Sequence, residues 1–154
     1  MREIKGDLWD AAVALRADAT CVTTNAFVKR NGEAVMGRGV AREAAERWPD
    51  LPRTLGNLLG EIGTHVVRLG PRHSGRHIME LVAFPVKHHW SDTAAPELIV
   101  NSCKELVALA NKYGWKTIVL PRPGCGNGGL TWDLVQPILV ALFDDRFVVA
   151  HRMP

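Results

Sequence analysis

The feature that most restricts this chain lies between residues 117 and 133. An apolar, β-branched run, Thr117–Ile118–Val119–Leu120, leads straight into PRPGCGNGGLTWD, where four of the six positions 124–129 are glycine. The run has the make-up of a buried strand. Glycine loses more backbone freedom on folding than any other residue, so such a cluster is kept where the backbone itself must approach something. A glycine loop between a strand and a helix points main-chain N–H groups at the helix start, which suits phosphate or pyrophosphate. The loop is not a P-loop, for it lacks G-x-x-x-x-G-K-[ST]. Nor is GCGNGG a dinucleotide fingerprint, because Leu130 stands where the third glycine belongs. From this loop alone, a tight strand-to-helix connection without a ligand stays open.

The rest of the chain alternates in the same way. Strands are expected at Glu3–Ile4, Ala19–Thr24, His65–Leu69, Ile78–Phe84, Lys116–Leu120 and Phe147–Ala150. Helical spacing appears from Asp10 to Ala17, from Gly39 to Trp48, and through Leu55, Leu58, Leu59 and Ile62. Pro49 and Pro52 are expected to end the second of these, and His73–Arg76 to form a polar turn between two strands. The clearest helix runs from Pro96 to Tyr113, with proline suited to its first position and Gly114 to its stop. A last helix reaches about Leu142, with Pro137 expected near its first turn, where a missing N–H does no harm. Strands alternating with helices predict an α/β sheet with helices on both faces. Right-handed crossovers then gather the loops at the carboxyl ends of the parallel strands on one edge, where ligands bind in such folds.

Length and composition limit the alternatives. At 154 residues, with no internal repeat or linker, the chain is expected to be a single domain spanning 1–154. No apolar run approaches the ~18 residues of a membrane span. The charged opening MREIKGDLWD does not read as a secretory signal, so a cytoplasmic location and no membrane partner are expected. Cys21, Cys103 and Cys125 are odd in number and widely spaced, which argues against a disulfide framework and against a zinc ribbon. No metal and no cofactor are expected. A net charge of +3 permits an anionic ligand without by itself indicating nucleic-acid binding.

Two further stretches bear on the same edge. Val35–Met36–Gly37–Arg38–Gly39–Val40–Ala41 again places glycines just before a helix; it is either a plain capping turn or the second half of a clamp for a ligand with two phosphates. Phe84–Pro85–Val86–Lys87–His88–His89–Trp90 starts at a strand end. Lysine is usually a solvated surface residue. When desolvated in a cleft it can instead act as a nucleophile or base. His88 and His89 are adjacent and point apart on an extended chain, so they do not share a metal. Trp90 either packs or stacks on a ring.

Taken in order, five stretches resemble the macrodomain family of ADP-ribose binders: Gly6–Asp7–Leu8, Thr24–Asn25–Ala26, VMGRGVA at 35–41, FPVKHHW at 84–90 and PGCGNGGLTW at 123–132. They cover nearly the whole chain. Within the family the sequence is most similar to the branch that removes terminal ADP-ribose from protein glutamate. It is more similar still to the DarG-type antitoxin macrodomains, which act on DNA. The resemblance implies a three-layer α/β/α sandwich around a mixed, mostly parallel sheet. It implies that Asp7 accepts a hydrogen bond from the adenine amino group, with Leu8 beside it, and that Asn25 lies near the distal ribose. Met36, Gly37, Arg38, Gly39 and Val40 would wrap the diphosphate and distal ribose. Pro123, Gly124, Cys125, Gly126, Asn127, Gly128, Gly129 and Leu130 would close on it from the other side. Lys87 aligns with the catalytic lysine of that branch. The glutamate-specific hydrolases carry an aspartate where this chain has Gly128, which weighs against a two-residue route on glutamate and leaves a lysine-only mechanism.

The implied activity is an ADP-ribosyl hydrolase acting on ADP-ribosylated DNA or protein, opposed to an ADP-ribosyltransferase toxin encoded elsewhere. Three other readings remain at this point: a reader that binds ADP-ribose without turnover, a phosphatase on ADP-ribose 1″-phosphate, and a nucleic-acid binder using its basic surface. Outside the resemblance, Asp7 reads as a helix or turn cap, Asn25 as an Asx turn and Cys125 as a small buried filler.

Overall fold

The computed structural model describes residues 1–152. In chain order the elements are β1 (Arg2–Lys5), α1 (Leu8–Ala14), β2 (Ala19–Thr24), α2 (Gly39–Arg47), α3 (Leu51–Ile62), β3 (Val67–Ser74) and β4 (His77–Pro85). There follow α4 (Pro96–Tyr113), β5 (Ile118–Leu120), a short 3₁₀ turn over Gly126–Gly128, α5 (Trp132–Leu142) and β6 (Phe147–His151). The sheet runs β1-β6-β5-β2-β4-β3; every neighbouring pair is parallel except β3 with β4.

Side chains alternate across a strand, and this period of two builds the three layers. Val22, Leu81, Ala83, Val119, Val148 and Ala150 point to one face, where they pack against α1, α2 and α3. Cys21, Val82, Phe84, Ile118, Leu120, Phe147 and Val149 point to the other, against α4 and α5. Both faces are covered, which is why the central strands are continuously apolar rather than alternating.

The connections decide where a ligand can sit. From β2 the chain leaves to the face of α2 and α3; from the neighbouring β5 it leaves to the face of α5. The loops after these two adjacent strands therefore part to opposite faces and open a crevice at the carboxyl edge of the sheet.

Several boundaries differ from the sequence expectations. Helix α1 begins at Leu8 rather than Asp10, because the Asp7 carboxylate accepts the N–H groups of Trp9 and Asp10 and starts the helix there. Pro52 does not end α2; it lies in the first turn of α3, where its missing N–H is free of cost. Pro137 lies inside α5, not in its first turn, so Asp133 loses a helical donor to its carbonyl. Strand β3 does not stop at Leu69: pairing with β4 continues to Ser74–His77 after a register shift between Arg68 and Pro71. An edge strand accommodates such a bulge and its proline.

Candidate functional site

Three loops leave the carboxyl edge and line one cleft of about 620 Å³, within the usual size of a small-ligand site. The first runs from Asn25 into α2, the second follows β4, and the third follows β5.

The first loop is held by Asn25. Its buried side chain donates from Nδ2 to the Val35 carbonyl at 3.0 Å and accepts the Phe27 N–H on Oδ1 at 3.0 Å. The second contact is the Asx turn expected from sequence. Asn25 thus ties the end of β2 to the start of the glycine stretch, so Gly37, Arg38, Gly39 and Val40 reach the cleft wall. Met36, by contrast, is buried in the core beneath α2 and does not line the cleft.

The glycine loop after β5 meets the first loop directly. Gly39 has φ +59°, and a Cβ there would lie 3.3 Å from Asn127 Nδ2, so the two turns converge on one another. Gly124 has φ +75°, and a Cβ there would lie 2.8 Å from Ile99 Cδ1. The left-handed turn and the close packing over α4 together explain why only glycine fits. Gly124, Cys125, Gly126, Asn127 and Gly128 line the cleft, whereas Pro123, Gly129 and Leu130 of the same loop do not. Leu130 N–H donates to the Gly124 carbonyl at 3.0 Å and closes the turn.

Lys87 sits on the loop between these two. That loop is stapled on both sides: Ala26 N–H donates to the His88 carbonyl at 3.1 Å, and Ala94 N–H donates to the Gly128 carbonyl at 2.8 Å. Lys87 Nζ donates to the carbonyl of Trp90 at 3.0 Å and lines the cleft with Trp90, Ser91 and Asp92. His88 is exposed, and His89 turns away to pack between Phe27 and Trp90. Among the described residues no group of three or more His, Cys, Asp or Glu is placed to hold a metal, and no helix is long and apolar enough to cross a membrane.

Asp7 and Leu8 lie on the same sheet edge but outside the cleft wall. Leu8 is buried in the core. Burial pushes the Asp7 carboxyl up, but the Asp10 N–H, the Arg152 guanidinium and the Trp9 N–H outweigh it and hold the group below its ordinary value. Arg152 also engages Glu43 at 3.2 Å, and Glu43 accepts the Trp9 indole N–H at 2.9 Å. Cys125 is half-buried, and burial raises its thiol above the ordinary value despite the nearby Arg122 guanidinium.

Arg122 was not singled out from sequence. It lines the cleft, lies over the Trp132 ring at 4.7 Å, and places a guanidinium nitrogen 2.6 Å from His151 Nε2. Its position between two prolines directly after β5 was the available signal. Among the described residues it gives the cleft, with Lys87 and the exposed Arg38, three cationic side chains against the single carboxylate of Asp92.

A family model described as Macro domain matches residues 30–139. The chain belongs to the Macro domain family. Among curated proteins, this macrodomain is 29% identical over 141 residues to a DNA ADP-ribosyl glycohydrolase of Thermus aquaticus, a match spanning 88% of this chain and 36% of that protein. The chain thus spans about a third of the length of that relative. Among solved structures, the DarG macrodomain of Mycobacterium tuberculosis superposes with a TM-score of 0.79 at 23% identity, covering 99% of this chain and 97% of that one. A Thermosipho africanus DarTG in complex with ADP-ribose superposes with a TM-score of 0.80 at 21% identity, covering all of this chain and 43% of the other. These two likenesses establish the three-layer fold around a mixed sheet.

Proposed function

We propose that this macrodomain is an ADP-ribosyl hydrolase that removes ADP-ribose from a modified macromolecule, DNA before protein, with Lys87 as the reactive side chain. The observation that carries this is the cleft itself: two glycine turns close on each other while a lysine from a third loop faces the same space. The DNA preference rests on the relative named a DNA ADP-ribosyl glycohydrolase and on glycine at position 128, which leaves a lysine-only route.

In this reading the main-chain N–H groups at Gly37–Val40 and Gly124–Gly128 wrap the diphosphate, and Arg38 and Arg122 offset its charge. Asn25 stands by the distal ribose. Asp7 takes the adenine amino group, sharing its carboxylate with Arg152. Met36, Pro123, Gly129 and Leu130 shape the turns from behind, with Leu8 under Asp7. Having given up a proton to solvent, the Lys87 amine attacks the anomeric carbon of the distal ribose. The bond from that carbon to the carrier breaks, and its electron pair leaves with the carrier, which takes up the proton. Water then hydrolyses the lysine adduct, releasing ADP-ribose and restoring the amine. The opposing modification would come from an ADP-ribosyltransferase encoded elsewhere.

The test is a panel: an ADP-ribosylated single-stranded oligonucleotide, a protein ADP-ribosylated on glutamate, and ADP-ribose 1″-phosphate, each given to the native protein and to Lys87→Ala. The expected result is ADP-ribose release from the oligonucleotide by the native protein alone, with ADP-ribose still bound by the variant in calorimetry. ADP-ribose binding with no release from any substrate would make the protein a reader. Release of inorganic phosphate alone would make it a phosphatase.

A further inference from the structure

Beside Lys87, behind the cleft wall at Trp90, lies an aromatic cluster that the chemistry above leaves unused. Trp90 is 52% exposed at the cleft wall and Phe27 37% exposed on the neighbouring loop. The imidazole of His89 sits between them, edge-on to the Phe27 ring with centroids 4.8 Å apart and tilted by 33° to the Trp90 ring with centroids 5.0 Å apart. The loop holds this ring in place. His89 Nδ1 accepts the Ser91 N–H at 3.1 Å and lies 2.7 Å from Ser91 Oγ, while the His89 N–H donates to Asp92 Oδ2 at 3.1 Å. Of the three rings that of Trp90 is the most exposed. The main chain of that same residue holds Lys87 Nζ. Half exposed at the cleft wall, the Trp90 ring offers a face to a flat ligand.

The neighbouring charge favours a polyanion. The hairpin that starts at Phe27, bridged at Val28 and Ala34, carries Lys29 and the exposed Arg30 at its tip, with Lys87 and Arg38 in the cleft. Two carboxylates stand nearby, and both are engaged: Glu33 with Lys29 at 3.9 Å, Asp92 with the His89 N–H.

We propose that Trp90, backed by His89 and Phe27, is the stacking platform for the nucleobase that carries ADP-ribose in a single strand, and so the element that selects a nucleic-acid carrier. The inference rests on the hydrolase reading above and adds to it the residues that hold the far side of the scissile bond. A base within a duplex has no free face to offer, so the carrier base is unpaired or extruded when it meets Trp90. Stacking of this kind tolerates any base, because every base has a π-face. An acidic protein side chain in the same position would gain nothing from the rings.

The experiment compares native protein, Trp90→Ala, Trp90→Phe and Phe27→Leu on an oligonucleotide bearing one ADP-ribosylated base and on an ADP-ribosylated peptide. The Lys87 anchor is a main-chain carbonyl and is present in every variant. For the oligonucleotide, Trp90→Ala is expected to raise KM roughly 5- to 100-fold with a much smaller change in kcat. Trp90→Phe should restore most of that loss, and Phe27→Leu should give a smaller loss in the same direction. Affinity for the peptide, measured by equilibrium binding, should move far less. Equal losses on peptide and oligonucleotide, or an unchanged oligonucleotide KM in Trp90→Ala, would overturn the proposal.

Equilibrium binding separates the two readings. The Lys87→Ala protein should bind the modified oligonucleotide more tightly than free ADP-ribose, and adding Trp90→Ala should abolish that difference. If the native protein turns over nothing but this difference holds, the platform stands and the hydrolase reading falls. If turnover is found and the difference is absent, the platform falls alone.

Discussion

Lys87 Nζ donates a 3.0 Å hydrogen bond to the backbone carbonyl of Trp90, three residues along the same loop. The amine is thus positioned by main chain rather than by a carboxylate. This separates two roles that a lysine can play. An arginine at position 87 keeps the positive charge and can still donate to the Trp90 carbonyl, but its guanidinium stays protonated and cannot attack carbon. Lys87→Arg is therefore expected to bind ADP-ribose in calorimetry and to lose at least ~100-fold in kcat, the same loss expected of Lys87→Ala. Substantial activity in Lys87→Arg would reduce the lysine to an electrostatic role.

Gly124 sets the path of the loop after β5. Its φ of +75° disfavours any side chain, and a Cβ would press on Ile99 Cδ1 at 2.8 Å, Ala94 Cβ at 3.0 Å and Leu130 Cδ1 at 3.1 Å. Backbone strain and overpacking act together, so Gly124→Ala is expected to cost about 2–4 kcal/mol in urea unfolding. The damage should reach the ligand as well. Ala94 anchors to the Gly128 carbonyl, so a displaced Ala94 moves the loop on which Lys87 stands. A variant with native stability would show that the loop repacks freely.

The three thiols offer a probe of the cleft that needs no substitution. Burial pushes the Cys103 thiol up to about 12, and burial with Cys103 as neighbour pushes Cys21 higher still. Cys125 is raised less, and it lies half-buried in the cleft wall. Only the thiolate reacts. A thiol reagent at neutral pH is expected to modify Cys125 slowly in the native protein and all three cysteines after unfolding. Saturating ADP-ribose should slow the Cys125 reaction. Equal rates with and without ADP-ribose would place the ligand away from the loop after β5.

How much of this was legible in the sequence depended on how local each signal is. The stretch from Ile118 to Leu142 was readable as strand, glycine loop and helix because each cue lies within a few residues of what it specifies. The extension of β3 beyond Gly70–Pro71 was not. Locally these residues read as a stop, and only pairing with β4 carries the strand through. Pro137 inside α5 is tolerated because Val135 and Leu139 bury the helix against the sheet, a tertiary effect that outweighs a local penalty. In the cleft, the glycine turns and Lys87 carried motif-like signals, whereas Arg122, Ser91 and Asp92 reach the wall only through the folding of their loops. Asp7 is the sharpest case. Its capping role follows from its neighbours, but its partner Arg152 lies 145 residues away.

That pairing has a pH consequence. Burial alone would raise the Asp7 carboxyl, yet the Asp10 N–H, Arg152 and the Trp9 N–H together hold it below its ordinary value in the folded protein. A carboxylate depressed on folding stabilises the native state fully above the unfolded-chain value of about 3.9, and that contribution is lost as pH falls through the lower folded value. Asp7→Asn keeps an oxygen able to cap α1 but removes the charge facing Arg152. The variant is therefore expected to melt below the native protein at pH 6, with the gap between the two narrowing as pH drops below about 4. Thermal unfolding of both proteins at pH 6, 4 and 3 measures this. A gap that stays constant across that range would mean that Arg152 gains nothing from the Asp7 charge and that the cap alone accounts for the residue.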